Sequence, residues 1–179
     1  VSTKIILALV NVFGGVAVLG SYAWCLANYP EHRDALWGGI QGSLRGTFTI
    51  SMFLAAAGYL AFCYVNLFVG ETMAFGQDSL IMGFNPIVIL TVVFLSSSTL
   101  WMPSLIAYIR SGESAWWILC VTSLWITALS LSVMTGVAAL SVAHGISQAS
   151  KYAALAGLAY ITFHCLFLDA IIWVTLFKK

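Results

Sequence analysis

The chain has 179 residues, 61% of them hydrophobic and only 7% charged, with a mean hydropathy of +1.01. A soluble domain of this size does not carry so much apolar surface, so the composition predicts an all-α integral membrane protein. A formal net charge of +1 leaves no basic patch to neutralise phosphates, which excludes nucleic acid as a partner.

The first predicted span covers about residues 5–27. Asn11, Gly14, Gly15, Val18 and Tyr22 recur on it at helical spacing, and small residues let helices approach closely in lipid. No signal-peptide cleavage pattern follows, so the segment reads as a retained span. Residues 30–46 form the longest polar connection. Pro30 opens it, the charged run from Glu31 to Asp34 follows, and Gly38, Gly39 and Gly42 come after Trp37. A glycine-hinged lid carrying Trp37 and an ordinary interfacial loop anchored by Trp37 both suit this pattern. Glu31, His32 and Asp34 are either a metal-binding trio or a solvated charge run.

The second span, about residues 47–69, offers a surface of Ser51, Ala55, Ala56, Ala57, Gly58 and Ala61 for close packing. Residues 70–85 form a loop with Glu71 and Asp78 and no Lys or Arg. The third span, about residues 86–109, starts on Pro86, which suits a first helical turn. Pro103 cannot donate to the carbonyl of Thr99, which predicts a kink or a repair by Ser96, Ser97 and Ser98. Trp101 lies too deep for an interfacial belt, and its indole N–H needs an acceptor. It reads either as packing beside the kink or as a pocket wall. The fourth span begins at Trp116 and Trp117, an interfacial pair, and runs to about Val142. Ser123, Thr127 and Ser130 stripe one face and Trp125 lies on another, with His144 at the far interface.

The fifth span, about residues 152–177, is followed by Lys178 and Lys179 and carries His164 and Asp169. An ionisable side chain at bilayer depth costs about 2.5–3.5 kcal/mol on insertion scales, so both are expected to face protein or water. At about 100° per residue, Gly157, Tyr160, His164, Ile171 and Thr175 share a stripe, and Asp169 falls on the neighbouring face. The pair either fixes helix packing or serves a ligand or proton. Cys25, Cys63, Cys120 and Cys165 fall singly in four spans and read as free thiols. Residues 1–179 thus read as a single five-helix transmembrane domain. The sequence contains no nucleotide-binding, metalloprotease or nucleophile-elbow motif and no visible catalytic set.

Lys4 and Lys151 lie on one side of this layout, against Arg33, Arg45, Arg110, Lys178 and Lys179 on the other. The positive-inside rule puts the N-terminus outside and the 30–46 loop and C-terminus inside a bacterial inner membrane or its organellar equivalent. Counted at 1.5 Å per residue, Trp101, Trp125 and Asp169 share a layer about 13 Å below the basic surface. The small-residue run 55–58 belongs to the same layer. Arg45 and Arg110 are the cations expected to partner Asp169.

The five-span layout, the Trp-bearing first loop (Leu36-Trp37) and the stretch Thr99-Leu100-Trp101-Met102-Pro103 together resemble the TspO family of tryptophan-rich sensory and translocator proteins. That stretch is similar to the family's Leu-Trp-x-Pro motif, and Ala159-Tyr160 to its Pro-Tyr pair. Phe94 and Ser98 stand where the family has glutamine and asparagine, and glycines follow Trp37 where the family has prolines. The resemblance implies a bundle that binds tetrapyrroles or sterol-like lipids beneath the first loop, often as a homodimer.

The leading expectation is therefore a bilayer protein that binds a hydrophobic aromatic or tetrapyrrole-like ligand such as a porphyrin, haem or chlorophyll-type pigment. Trp37 would cap the site, Trp101 and Trp125 would line it, Tyr160 would join it by the resemblance, and Asp169 would be the polar handle. His164 would be the axial ligand of a bound metallotetrapyrrole. The alternative is an accessory or scaffold subunit of a larger membrane complex, with or without pigment. A third reading is a proton-coupled transporter or intramembrane enzyme built on His164 and Asp169.

Overall fold

A computed structural model describes residues 2–73, 84–141 and 145–177. His144, Asp78, Lys178 and Lys179 lie outside the described residues. Each predicted span forms a helix: α1 Thr3–Asn28, α2 Gly42–Tyr64, α3 Pro86–Ser111, α4 Ser114–Leu140 and α5 Gln148–Phe163. Two of them run on as π-helix, α2 over Val65–Val69 and α5 over His164–Trp173, after which the short α6, Val174–Leu176, finishes the rod. Among the described residues five helices are long and apolar enough to cross a bilayer.

Local chemistry sets the ends. Asn85 caps α3 by accepting from the Ile87 amide at 2.8 Å, with Pro86 in the first turn. Ser147 caps α5 by accepting from the Ser150 amide at 3.1 Å. Helix α2 begins earlier than its apolar run, and in its first turns Thr47 and Thr49 return their hydroxyls to the carbonyls of Ser43 and Arg45. Helix α3 is continuous through Pro103. Ser97 bonds the carbonyls of Val93 and Phe94, upstream of the proline, while Ser104 donates to those of Leu100 and Trp101 beside it.

The rods pack α1 on α3, α3 on α4, α4 on α5 with its π segment, and α5 on α2. The α2–α5 crossing is closest at Gly58 and Gly157, where a Cβ on Gly58 would come 2.6 Å from the Gly157 carbonyl oxygen. Helices α1 and α2 close the ring at one end, where Asn11 Oδ1 accepts from Tyr59 at 2.7 Å. Elsewhere their backbones do not pack closely.

Two apolar cores result. One, around Leu7, Phe62, Met134 and Leu158, fills the end that holds the start of α1. The other, around Cys25, Leu36, Leu105 and Trp173, fills the loop end. Buried polar groups lie between them. Ser97 and Thr127 share a hydrogen bond of 2.8 Å, and Ser98 meets the same Thr127 hydroxyl at 3.3 Å. Cys165 touches both cores.

The first loop makes two 3-10 turns, Pro30–His32 and Ala35–Trp37, and lies across the end of the α5 rod. The Trp173 indole donates to the Leu36 carbonyl at 3.0 Å. Gly38 and Gly39 sit directly on Phe177 and Leu176, and a Cβ on Gly39 would collide with the Leu176 carbonyl. These glycines therefore permit close docking of the loop. The contact also places the first loop and Phe177 at the same end of the bundle.

Candidate functional site

The π segment determines the site. On an α-helix residues five apart lie about 140° from each other at 100° per residue, which is why His164 and Asp169 read as belonging to different faces. A π-helix bonds i to i+5 and returns such residues to one face. Accordingly His164 Nε2 lies 3.5 Å from Asp169 Oδ2. The other ring nitrogen, Nδ1, is 2.8 Å from the Ser51 hydroxyl on α2, and the Tyr160 hydroxyl donates to the same oxygen at 3.3 Å. Tyr160 O–H donates to Ser51; in the imidazole tautomer where Ser51 O–H donates on to Nδ1, the Nε2–H is turned toward the carboxylate.

Asp169 thus meets His164. Neither of the arginines expected beside it is its partner. Arg45 bonds Asp34 at 3.0 Å and lies 4.6 Å over the Trp37 ring. Arg110 bonds the Tyr29 hydroxyl at 3.1 Å. Both sit in the loop-end surface, whereas Asp169 is inside the rod bundle.

A second polar chain approaches from α1 and α3. The Trp101 indole donates to the Tyr22 hydroxyl, which donates to the Ser98 carbonyl at 3.2 Å. Tyr22 is within electrostatic reach of Asp169, and so is Cys165. Through His164, Asp169 is linked to Ser51 of α2. Its side chain is 31% exposed, against 6% for His164, and Tyr22, Trp101, Cys165 and Tyr160 beside it are all half-buried.

An aromatic stack joins this group to the loop. Trp101 meets Trp173 edge-on at 6.0 Å, and Trp173 meets Trp117 at 5.9 Å and Phe177 at 4.9 Å. Trp37 is half-buried over the loop-end core beneath Arg45.

The structure links Tyr160, His164 and Asp169 through Ser51, joins Trp101 to Tyr22 and Trp173, and seats Trp37 on the loop-end core. It does not bring Trp125 in. That ring is 38% exposed on the outer face of α4. Equal depth along a rod says nothing of direction around it. Trp173, Tyr22 and Ser51 complete the group; the sequence pattern marks Tyr22 and Ser51 only as helix-packing positions and does not mark Trp173. Trp173 lies four residues after Asp169, a spacing that could have marked it as a neighbour one turn on.

Axial ligation of a metallotetrapyrrole by His164 does not fit this arrangement. Both ring nitrogens face protein groups, Nδ1 the Ser51 hydroxyl at 2.8 Å and Nε2 the Asp169 carboxylate at 3.5 Å. Among the described residues no group of three or more His, Cys, Asp or Glu side chains is placed to hold a metal ion, so Glu31, His32 and Asp34 do not form one. Ser51, His164 and Asp169 also differ from an acyl-transfer triad. The serine meets Nδ1 and the carboxylate meets Nε2, the reverse of the hydrolytic order. Compared with family models, curated proteins and solved structures, the chain finds no match.

Proposed function

We propose that this chain is a multi-pass membrane protein that binds a hydrophobic aromatic ligand, of tetrapyrrole-like size and flatness, inside the bundle beneath the first loop. One observation carries the reading. Asp169 is nearly one-third exposed in the interior of a bundle whose outer surface is apolar. A carboxylate left to lipid at that depth would cost several kcal/mol. The space beside it therefore suits water or a ligand with a polar group, between the aromatic walls of Tyr22 and Trp101. Binding sites commonly combine apolar walls with few, well-placed polar groups. The separation of α1 and α2 gives such a ligand a lateral way in from the bilayer, and the loop closes the top.

The polar handle accepts hydrogen bonds, so it favours a ligand that presents N–H or O–H donors. A metal-free porphyrin is the appropriate probe. Gently purified protein, titrated with protoporphyrin and read by quenching of its tryptophans, should show saturable binding. A sterol-type ligand is the comparison without aromatic rings. Haem should bind without the spectral shift of an iron–imidazole bond, because His164 is engaged on both sides. If no ligand of either type binds saturably, the reading falls and that of an accessory subunit in a larger complex takes its place.

A further inference from the structure

A concavity that Asp169 does not line lies on the outside of the bundle. It is a groove of about 260 Å³ between α1, α3 and α4 at the loop end, lined among others by Trp24, Tyr29, Leu100, Pro103, Arg110 and Trp116. Its composition changes along its length. Arg110, Tyr29 and Trp116 form the rim, where the helices end. Leu100 and Pro103 form the deeper floor. From Leu100 to Arg110 is ten residues of α3, about 15 Å at 1.5 Å per residue, which is half of an about 30 Å hydrocarbon core. The groove is therefore one leaflet deep.

Arg110 is held in place by Tyr29, whose ring lies 4.8 Å beneath the guanidinium and whose hydroxyl takes one N–H. Among the described residues no carboxylate pairs with it within 4.0 Å. The residue is exposed at the rim. By contrast, Arg45 at the same end is neutralised by Asp34. A fixed, uncompensated cation over an apolar trough matches an anionic phosphate headgroup above an acyl chain. Aromatic residues flanking it belong at the headgroup level.

The geometry points to a binding site for one anionic phospholipid in this groove, with Arg110 on the phosphate and the acyl chain along Leu100 and Pro103. Ala107 leaves room for the chain between them. The site is separate from the interior one and stands without it.

Native mass spectrometry tests it. The protein is purified into detergent with equimolar phosphatidylglycerol and phosphatidylcholine, and the retained lipid is identified. Wild type should retain phosphatidylglycerol in about fivefold preference, the scale of one basic residue at an anionic surface. Arg110→Gln should remove the preference, while Arg45→Gln and Asp169→Asn should keep it. Ala107→Trp should fill the trough and expel the lipid with helix content and thermal midpoint unchanged. No preference in wild type, or a preference that survives Arg110→Gln, would overturn the assignment. So would a dimer seated on the groove in place of a lipid adduct.

Discussion

Asp169 and its neighbours show how few atoms specify the interior of this protein. Among the described residues the carboxylate's ion-pair partner is His164, at a distance longer than a hydrogen bond. His164 in turn depends on Ser51 at 2.8 Å. Interhelical hydrogen bonds in membrane bundles contribute about 0.6 kcal/mol on average and about 1.7 at most. Ser51→Ala should therefore lower the unfolding free energy by about 1 kcal/mol, measured by denaturation in mixed micelles. Asp169→Asn keeps hydrogen-bonding capacity and should change stability less than Asp169→Leu. Equal stability of all three variants and wild type would contradict the proposed chain from Tyr160 to Asp169.

At the scale of elements, the crossing of α2 and α5 depends on two glycines. A Cβ on Gly157 would strike the backbone of Gly58, and backbone cannot rotate out of the way. Gly157→Ala should cost about 1–3 kcal/mol, the range for overpacked sites. Gly15→Ala, where a Cβ would meet nothing within 4 Å, should be neutral. Thermal unfolding of both variants beside wild type checks the contrast.

The same elements show what the sequence makes legible. Apolar length alone located all five rods, and Gly58 belongs to the small-residue surface read on the second span, whereas Gly157 is legible only as a member of the His164 stripe. The deep indole of Trp101 required an acceptor, and Tyr22 supplies it. What pattern reading missed was angular. The wheel assumes one turn geometry throughout, and nothing between His164 and Trp173 announces a π-helix. The His164–Asp169 contact was hidden for that reason. Trp125 was misdirected for a related one, since counting residues gives depth but not facing. The partner of Trp173 is a backbone carbonyl of a loop, Leu36, and no side-chain pattern marks such an acceptor.

For the whole molecule, the asymmetry between ends yields a topology. The first loop packs on Leu176 and Phe177 and shares its end with Arg33, Arg45 and Arg110, while Lys151 lies at the opposite end and bonds the Ser141 carbonyl at 2.7 Å. In a membrane this basic end should face the cytoplasm or its equivalent. Single cysteines introduced at Glu31 and Gln148, both exposed, should react with an impermeant maleimide from opposite faces of sealed vesicles. Reaction of both from one face would contradict five crossings.

The central claim is that the interior group around Asp169 and Trp101, and not the aromatic surface in general, holds the ligand. Protoporphyrin titration of Asp169→Asn, Trp101→Phe and Trp125→Ala against wild type tests it most directly. Loss of the carboxylate's charge at Asp169, or of the indole N–H that holds Tyr22 at Trp101, should weaken binding about tenfold, the factor that corresponds to 1.4 kcal/mol. Trp125→Ala should bind as wild type does, because that ring lies on the outer face of α4. A Trp125 variant that weakens binding while the Asp169 and Trp101 variants do not would contradict the account.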